Sequence, residues 1–295
     1  MRSAFHSFIQ RRRDYMHFLR QRLIGFPALK RAFFSAHGYP LNLENPKTHS
    51  ERINHKKIYD RDPLLTLTSD KLLVRDYVKK SLGKEGESLL VPLYYVSKTG
   101  KDITFHKFDQ EVFMKANHYS GGNRLVSPGD DPEELRDLAV SWIHSSYGQN
   151  LLEWANRDIP RRILIEKVIR DKAGALPSDY KFYCFNGVPQ LLYILKDRFG
   201  DKVDWFLTMD LKDTGMLISK NVLPDGFFVP NLDQMIEYAK ALSKPFTFVR
   251  VDFYSLENEL YLGELTHYDA SGFEKYKTYE IDLSIGDYWF QKEKW

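Results

Sequence analysis

Two spacings of apolar residues alternate along this chain. Helical spacing predicts helices over residues 50–59 and 69–81, the second with Leu72, Leu73, Tyr77 and Val78 turned inward. Residues 131–154 return to that period and open with Pro132-Glu133-Glu134, acids that suit the positive end of a helix. Residues 231–243 predict a further helix, with Asn231 and Gln234 as cap and capping partner. Runs rich in β-branched and aromatic residues predict strands over 91–96, 112–116, 163–169, 180–185, 190–195, 205–209, 246–254 and 259–265. Polar turns separate them at 97–101 and 119–123, a loop surrounds Asn45-Pro46, and Asn186-Gly187 marks a hairpin turn. No repeat or low-complexity tract interrupts the order. The pattern predicts an α+β fold of two α+β lobes with a cleft between them.

Composition narrows the class without naming a chemistry. With 295 residues, 43% of them hydrophobic and 28% charged, the chain can bury a large core and is neither disordered, collagenous nor coiled coil. The single cysteine, Cys184, excludes an internal disulfide and any multi-cysteine metal site. It lies in the apolar run 180–185, which predicts core packing and points to a reducing compartment.

The net charge of +3 is unevenly spread: residues 1–34 carry eight Arg or Lys against Asp14 alone. Phe5, Phe8, Phe18, Leu19, Leu23, Leu29 and Phe33 are interleaved there with basic residues, as in one or two amphipathic helices broken near Gly25-Phe26-Pro27. Such a segment suits an anionic membrane face or the chain's own acidic remainder. No apolar run reaches the roughly 20 residues that span a bilayer, and no secretion signal is legible, so the expected location is cytoplasmic, peripheral at most to the inner membrane face. Nucleic acid is not an expected partner, because the basic surplus is confined to one terminus and no nucleic-acid motif accompanies it.

Candidate chemistry concentrates near the end of the chain. Alternate residues of a strand share a face, so Arg250 and Asp252 point together, as do Glu264 and Thr266. A hairpin centred near Asn258 sets Asp252 opposite Glu264 and Arg250 opposite Thr266. Two hard oxygen ligands beside a guanidinium suit Mg²⁺ carrying a polyphosphate; a salt-bridged, half-exposed hairpin is the plainer alternative. A second group runs from Lys115 at a strand end to Ser120-Gly121-Gly122, whose backbone N–H groups can wrap phosphate oxygens. The spacing is neither a Walker loop nor a Rossmann fingerprint.

These segments, in order, resemble the ATP-grasp superfamily in its TupA-like branch, typified by a teichuronopeptide biosynthesis protein. The resemblance runs from about Asn45 to Trp289. It includes Asp70-Lys71, residues 115–123, Pro160 to Lys167, Asp179 to Gly187, Asp197-Arg198, Val249 to Tyr254 and Gly263-Glu264-Leu265-Thr266. It implies an ATP-grasp fold with a basic helical N-terminal segment at 1–68 (amphipathic over 1–34), a smaller lobe at 69–165 with the glycine loop, and a larger lobe at 166–295 with the metal site. By that resemblance Lys71 and Lys115 hold nucleotide phosphates and Ser120, Gly121 and Gly122 close over them. Glu166, Lys167, Val168 and Ile169 form the hinge that receives adenine, and Asp252 and Glu264 ligate Mg²⁺. Arg250, Lys181 and Arg198 neutralise the transferring phosphoryl group. Many ATP-grasp enzymes carry Asn two residues after the metal-binding Glu; this chain has Thr266 there.

The activity so implied is an ATP-dependent carboxylate–amine ligase, working through an acyl phosphate and releasing ADP and phosphate. The branch further implies a uronic acid of a surface polysaccharide, or of its lipid-linked precursor, as acceptor and an amino acid or small amine as nucleophile. A glycosyltransferase of polysaccharide assembly is the rival enzyme, since Asp60-Arg61-Asp62 is the sole Asp-x-Asp; its place beside Pro63 predicts a solvated turn. A non-catalytic nucleotide-binding or membrane-docking module is the rival outside catalysis. His118 and His267 border the two candidate groups and read as polar loop residues or substrate contacts.

Overall fold

The computed structural model describes residues 15, 16, 18–145, 151–197, 200–218 and 221–290. They divide into two compact units. The first is built from the described residues of Met1–Leu41, Lys57–Leu72 and Pro92–Val168, and the second from those of Asn42–Lys56, Leu73–Val91 and Ile169–Trp295.

In the first unit, strands β1 (Leu93–Ser97), β2 (Val112–Ala116), β3 (Asn123–Val126) and β4 (Ile163–Lys167) form an antiparallel sheet in the order β1-β4-β2-β3. Alternation decides which face is covered. Val112, Met114 and Ala116 of β2 and Ile163 and Ile165 of β4 pack with Leu135, Ala139 and Trp142 of the helix Pro132–His144. Phe113, Lys115, Leu164 and Glu166 therefore lie on the opposite face. The helix begins at Asp131, whose carboxylate accepts the Glu133 N–H at 2.9 Å. It ends at His144, short of the predicted 154, and Trp154–Arg157 is a separate turn of helix. Strand β3 was not predicted: Asn-Arg-Leu-Val has little strand character, and pairing with β2 imposes it.

The helix predicted over 69–81 starts late, at Val74, and runs to Leu82, and a separate helix, Pro63–Ser69, precedes it. Asp70 separates them because it is held extended, accepting the Leu72 N–H at 2.8 Å and the Asn117 side-chain amide at 2.8 Å. Leu73 consequently emerges at the surface instead of turning inward. At the N-terminus, Gly25 (φ 71°) and Phe26 (φ 58°) make the expected break before the helix Pro27–His37, which buries Leu29 and Phe33. The rest of the predicted amphipathic segment, residues 1–14 and 17, lies outside the described residues.

Lys57, in the helix His49–Tyr59, is fully buried in this unit. Burial pushes its ammonium pKa down to about 7, against the pull of the buried Glu153 carboxylate. Between about pH 7 and the usual lysine value the unfolded chain holds a proton that the fold does not, so Lys57 makes stability rise with pH across that window. Replacing the pair together, Lys57→Met with Glu153→Gln, is expected to flatten that rise. Denaturant titrations from pH 7 to 9.5 on both proteins measure it, and equal slopes would refute the assignment.

The second unit holds β5 (Asp179–Phe185), β6 (Val188–Lys196), β7 (Val203–Thr208), β8 (Phe248–Ser255) and β9 (Leu260–Thr266), antiparallel in the order β7-β6-β5-β8-β9. Asn186 (φ 51°) and Gly187 (φ 84°) are both left-handed, which is what a tight two-residue hairpin between β5 and β6 requires. The helix Leu232–Ser243 packs on β5, β6 and β8 and buries Met235, Tyr238, Ala239 and Leu242. Its predicted cap is absent. Asn231 is itself left-handed and donates to Ser255 Oγ at 3.0 Å and Leu256 O at 2.8 Å, while Gln234 donates to the Tyr238 hydroxyl. Cys184 is buried as predicted, and burial raises its thiol pKa far above the ordinary value.

The other face of this sheet changes character along its length. Phe185 and Phe248, paired across β5 and β8, pack with His49 and Trp289, the ring centroids of Phe248 lying 4.8 Å from His49 and 5.2 Å from Trp289. Two and four residues further along the same strands, the aromatic floor gives way to charge.

Candidate active site

The charged end of that face is a row of side chains set by the sheet register. Lys181 of β5 stands opposite Asp252 of β8, which stands opposite Glu264 of β9. In the next row Tyr183, Arg250 and Thr266 face one another in the same order. Both predicted pairs, Asp252 with Glu264 and Arg250 with Thr266, are therefore present, and a bulge after Asp252 takes up the odd residue.

Arg250 organises the group. Its Nε and Nη2 donate to the two oxygens of Asp252, each at 2.7 Å, in a bidentate pair. Its Nη1 donates to Asp269, and its Nη2 also reaches Thr266 Oγ1 at 3.3 Å. Glu264 Oε1 lies 3.6 Å from Nη2 and accepts the Thr266 hydroxyl at 3.1 Å. Lys181 Nζ lies 3.5 Å from Asp252. Burial works against the Arg250 charge, but the Asp252 and Asp269 carboxylates outweigh it and hold the guanidinium protonated. The Asp252 side chain is 5% exposed and that of Glu264 33%, so the row is buried at one end and open at the other.

Asp269 was not singled out in the sequence. It accepts the Tyr183 hydroxyl at 2.7 Å as well as Arg250. Burial raises its pKa, but the Arg250 charge, joined by His49, the Tyr183 hydrogen bond and Lys181, lowers it by more, so the carboxyl stays ionised. The signal that could have found it is local: Asp-Ala-Ser-Gly follows β9 directly, and Ala270 (φ 40°) and Ser271 (φ 56°) are both left-handed, a backbone that strand and helix periods do not describe. Arg198, predicted to join this group, lies outside the described residues.

The first unit gathers the other predicted residues in two places. Lys115 Nζ pairs with Glu166 at 2.8 Å on the sheet face opposite the helix. Lys71 Nζ lies 3.4 Å from the Tyr119 carbonyl, at the start of the Ser120-Gly121-Gly122 turn. Gly121 is left-handed (φ 85°) with open space where a side chain would sit, whereas a Cβ on Gly122 would strike the Tyr119 ring at 2.6 Å. The turn is anchored by Asn117, which is wholly buried and also escaped sequence reading. Its side chain donates to Asp70 and to Pro160 O and accepts the Arg162 N–H, and its carbonyl accepts the Lys71 N–H at 3.1 Å. Asn117 thus holds the backbone of Lys71, while its neighbour Ala116 donates its N–H to Gly122 O at 2.7 Å. Of the four predicted hinge residues, Lys167 already donates its N–H to Pro92 O, and the chain passes from the first unit to the second between Val168 and Ile169.

The remaining candidates are structural. Asp62 caps the helix Pro63–Ser69 by accepting the Leu64 N–H, and Asp60 accepts the Asp62 N–H, so the Asp-x-Asp is spent on a turn. His118 and His267 lie in a turn and a bend, as loop residues should, but both are buried. Burial, with Arg161 and Lys71 adding to it, lowers the His118 pKa to about 3. Burial and Lys56 lower that of His267 well below the ordinary value. Both rings are neutral at physiological pH.

Comparison with known proteins adds a family. No curated protein matches the chain. Among solved structures, the D-alanine–D-alanine ligase of Bacillus anthracis complexed with ATP is similar at 18% identity and a TM-score of 0.39, covering 68% of this chain and 55% of its own. The corresponding ligase of Helicobacter pylori gives 16% and 0.40 over 74% and 61%. The ATP-grasp ligase PsnB, complexed with a phosphomimetic variant of its minimal precursor, Mg and ADP, gives 12% and 0.39 over 77% and 59%. The chain spans less than two thirds of the length of these three proteins. The model of the TupA-like ATPgrasp family matches residues 51–290, which contain both candidate groups. The chain belongs to the TupA-like ATP-grasp family.

Proposed function

We propose that this protein is an ATP-dependent carboxylate–amine ligase that joins a uronic acid of a surface polysaccharide, or of its lipid-linked precursor, to an amino acid or small amine. The observation that carries the reading is the row Lys181, Asp252 and Glu264 beside Arg250, in a chain of the ATP-grasp family.

The donor set fits magnesium with a nucleoside triphosphate. Among the described residues no three His, Cys, Asp or Glu side chains are grouped to hold a metal alone. Two opposed carboxylates are what Mg²⁺ uses when phosphate oxygens and water complete its octahedron. Asp252 and Glu264 are those ligands in this reading, with Thr266 turned towards Glu264 as a further oxygen. Bound there, Mg²⁺ supplies charge neutralisation on the polyphosphate. Lys71, Lys115 and the Ser120-Gly121-Gly122 turn supply phosphate contacts, and the chain from Glu166 to Ile169 the adenine contact. Arg250 and Lys181, with Arg198, offset the charge that develops on the γ-phosphoryl group. The acceptor carboxylate attacks that phosphorus and ADP leaves. The amine then attacks the acyl carbon and phosphate leaves, giving the amide. The protein's part is position and electrostatics.

Release of ADP in the presence of Mg-ATP, a uronic acid and an amine tests the reading. Dependence on both acceptor and amine is expected; release with neither, or none with any pair, would contradict it.

A membrane contact is part of the proposal. No helix among the described residues is long and apolar enough to cross a membrane. Leu23, Ile24 and Phe34 are exposed beside exposed Arg20, Arg22, Lys30 and Arg31, and residues 15–37 contain no acid. Lys30 and Arg31 share a helix face with Phe34, the arrangement that suits an anionic bilayer surface and a lipid-linked acceptor. Removing residues 1–34 would also remove the buried Phe26, Leu29 and Phe33, so charge is the cleaner lever. Changing all four basic residues to Gln is expected to reduce sedimentation with phosphatidylglycerol vesicles at least tenfold, at about 1 kcal/mol per basic residue. Unchanged sedimentation would remove this surface from the account.

A further inference from the structure

The carboxylate proposed to take the metal is already engaged. Both Asp252 oxygens accept from Arg250 in a buried bidentate pair, so a divalent ion at Asp252 competes with the guanidinium for the same two oxygens and weakens its hold. A buried guanidinium left without a counter-charge would be costly. It has a second counter-charge on the far side: Nη1 donates to Asp269, while Nε and Nη2 serve Asp252.

We infer that Asp269 is a positioning residue that keeps Arg250 anchored while Asp252 is handed from the guanidinium to the metal. The inference rests on the proposed Mg-ATP site. The geometry suits the task in three ways. Asp269 is 2% exposed, so water does not compete for it. Its second oxygen accepts the Tyr183 hydroxyl at 2.7 Å, which fixes the first towards Arg250. Tyr183 stands directly opposite Arg250 across β5 and β8, so clamp and guanidinium are set by one pair of the sheet register. Asp269 meets that pair three residues past the end of β9, immediately before the left-handed residues Ala270 and Ser271. With Asp269 in place, loss of the Asp252 contact leaves Arg250 ionised, hydrogen-bonded and close to where the phosphates are proposed to lie.

Mn²⁺ binding in the presence of ADP, followed by electron paramagnetic resonance, gives a readout independent of turnover. Asp269→Asn is expected to weaken Mn²⁺ at least tenfold, because the carboxylates then left within salt-bridge distance of Arg250 are Asp252 and Glu264, the two proposed to take the metal. Tyr183→Phe, which leaves every charge in place, is expected to weaken it about threefold. Glu274→Gln removes a neighbouring acid whose charge acts on Arg250 through space, and is expected to change affinity less than twofold. Asp269→Glu should recover much of the loss. Wild-type affinity in Asp269→Asn, or a loss equal to that of Glu274→Gln, would overturn the inference. Should Asp269→Asn fail to fold, unchanged affinity in Tyr183→Phe would overturn it. Absence of Mn²⁺ and ADP binding in the wild type would instead defeat the proposed site, and the inference with it.

Discussion

Asp252→Asn is expected to fold and to release no measurable ADP. The amide keeps the shape of the carboxylate and one acceptor for Arg250, but presents an NH₂ where the second oxygen accepted Nη2. That mismatch costs about 1–3 kcal/mol. The guanidinium stays neutralised by Asp269, so the fold should survive. Activity should not. Asn offers a metal one weak carbonyl in place of an anionic oxygen pair, and removal of a single preorganised charge contact lowers turnover by about 10²–10³-fold even where the rest of a site is intact. Thermal unfolding and an ADP-release assay on the same preparation check both halves. Turnover within tenfold of the wild type would show that Asp252 serves only the ion pair.

Arg250→Met is expected to have the largest effect on stability. Methionine fills much of the guanidinium's volume but leaves Asp252 and Asp269 buried, with Lys181 at 3.5 Å from Asp252 as the nearby cation. Breaking a buried pair from one side costs about 3–5 kcal/mol. The pH dependence should also change sign. In the wild type Arg250 and its neighbours hold the Asp269 pKa below its ordinary value, so this group's stabilisation is present above that value and is lost as pH falls through the depressed one. Without Arg250, burial is left as the leading influence and raises the pKa. The variant should therefore gain stability, relative to the wild type, as pH falls from 7 towards 4. Denaturant unfolding at several pH values measures this, and parallel curves for the two proteins would exclude a charge-coupled role for Arg250.

The parts of the fold legible in the sequence were those where period and register act alone. β8 and β9 pair with Asp252 opposite Glu264 because a short hairpin and a two-residue side-chain period leave few alternatives. Asn186-Gly187 was legible because its left-handed backbone has a residue preference. What escaped was fixed by contacts distant in sequence. Asp70 ends a helix because the Asn117 amide, 47 residues away, holds its carboxylate. Strand β3 exists because β2 offers it an edge. The Asn231 cap failed because Ser255 and Leu256 take the side chain that would have capped the helix.

The candidate site divides in the same way. Alternation on two strands revealed Arg250, Asp252, Glu264 and Thr266, but not that Arg250 would take both oxygens of Asp252. That pairing depends on burial, which raises the value of a counter-charge, and on Asp269, which lies in an irregular turn where no periodicity operates. His118 and His267 show the converse. Their polar neighbours suggested loops, yet both side chains are enclosed and held neutral.

The most direct test of the account is a crystal structure of the wild-type protein with Mg²⁺ and a non-hydrolysable ATP analogue. The account predicts an ion ligated by Asp252 and Glu264 together with phosphate oxygens, and Lys71 and Lys115 on the same triphosphate. A bound nucleotide whose phosphates and ion lie away from Asp252 and Glu264 would contradict it.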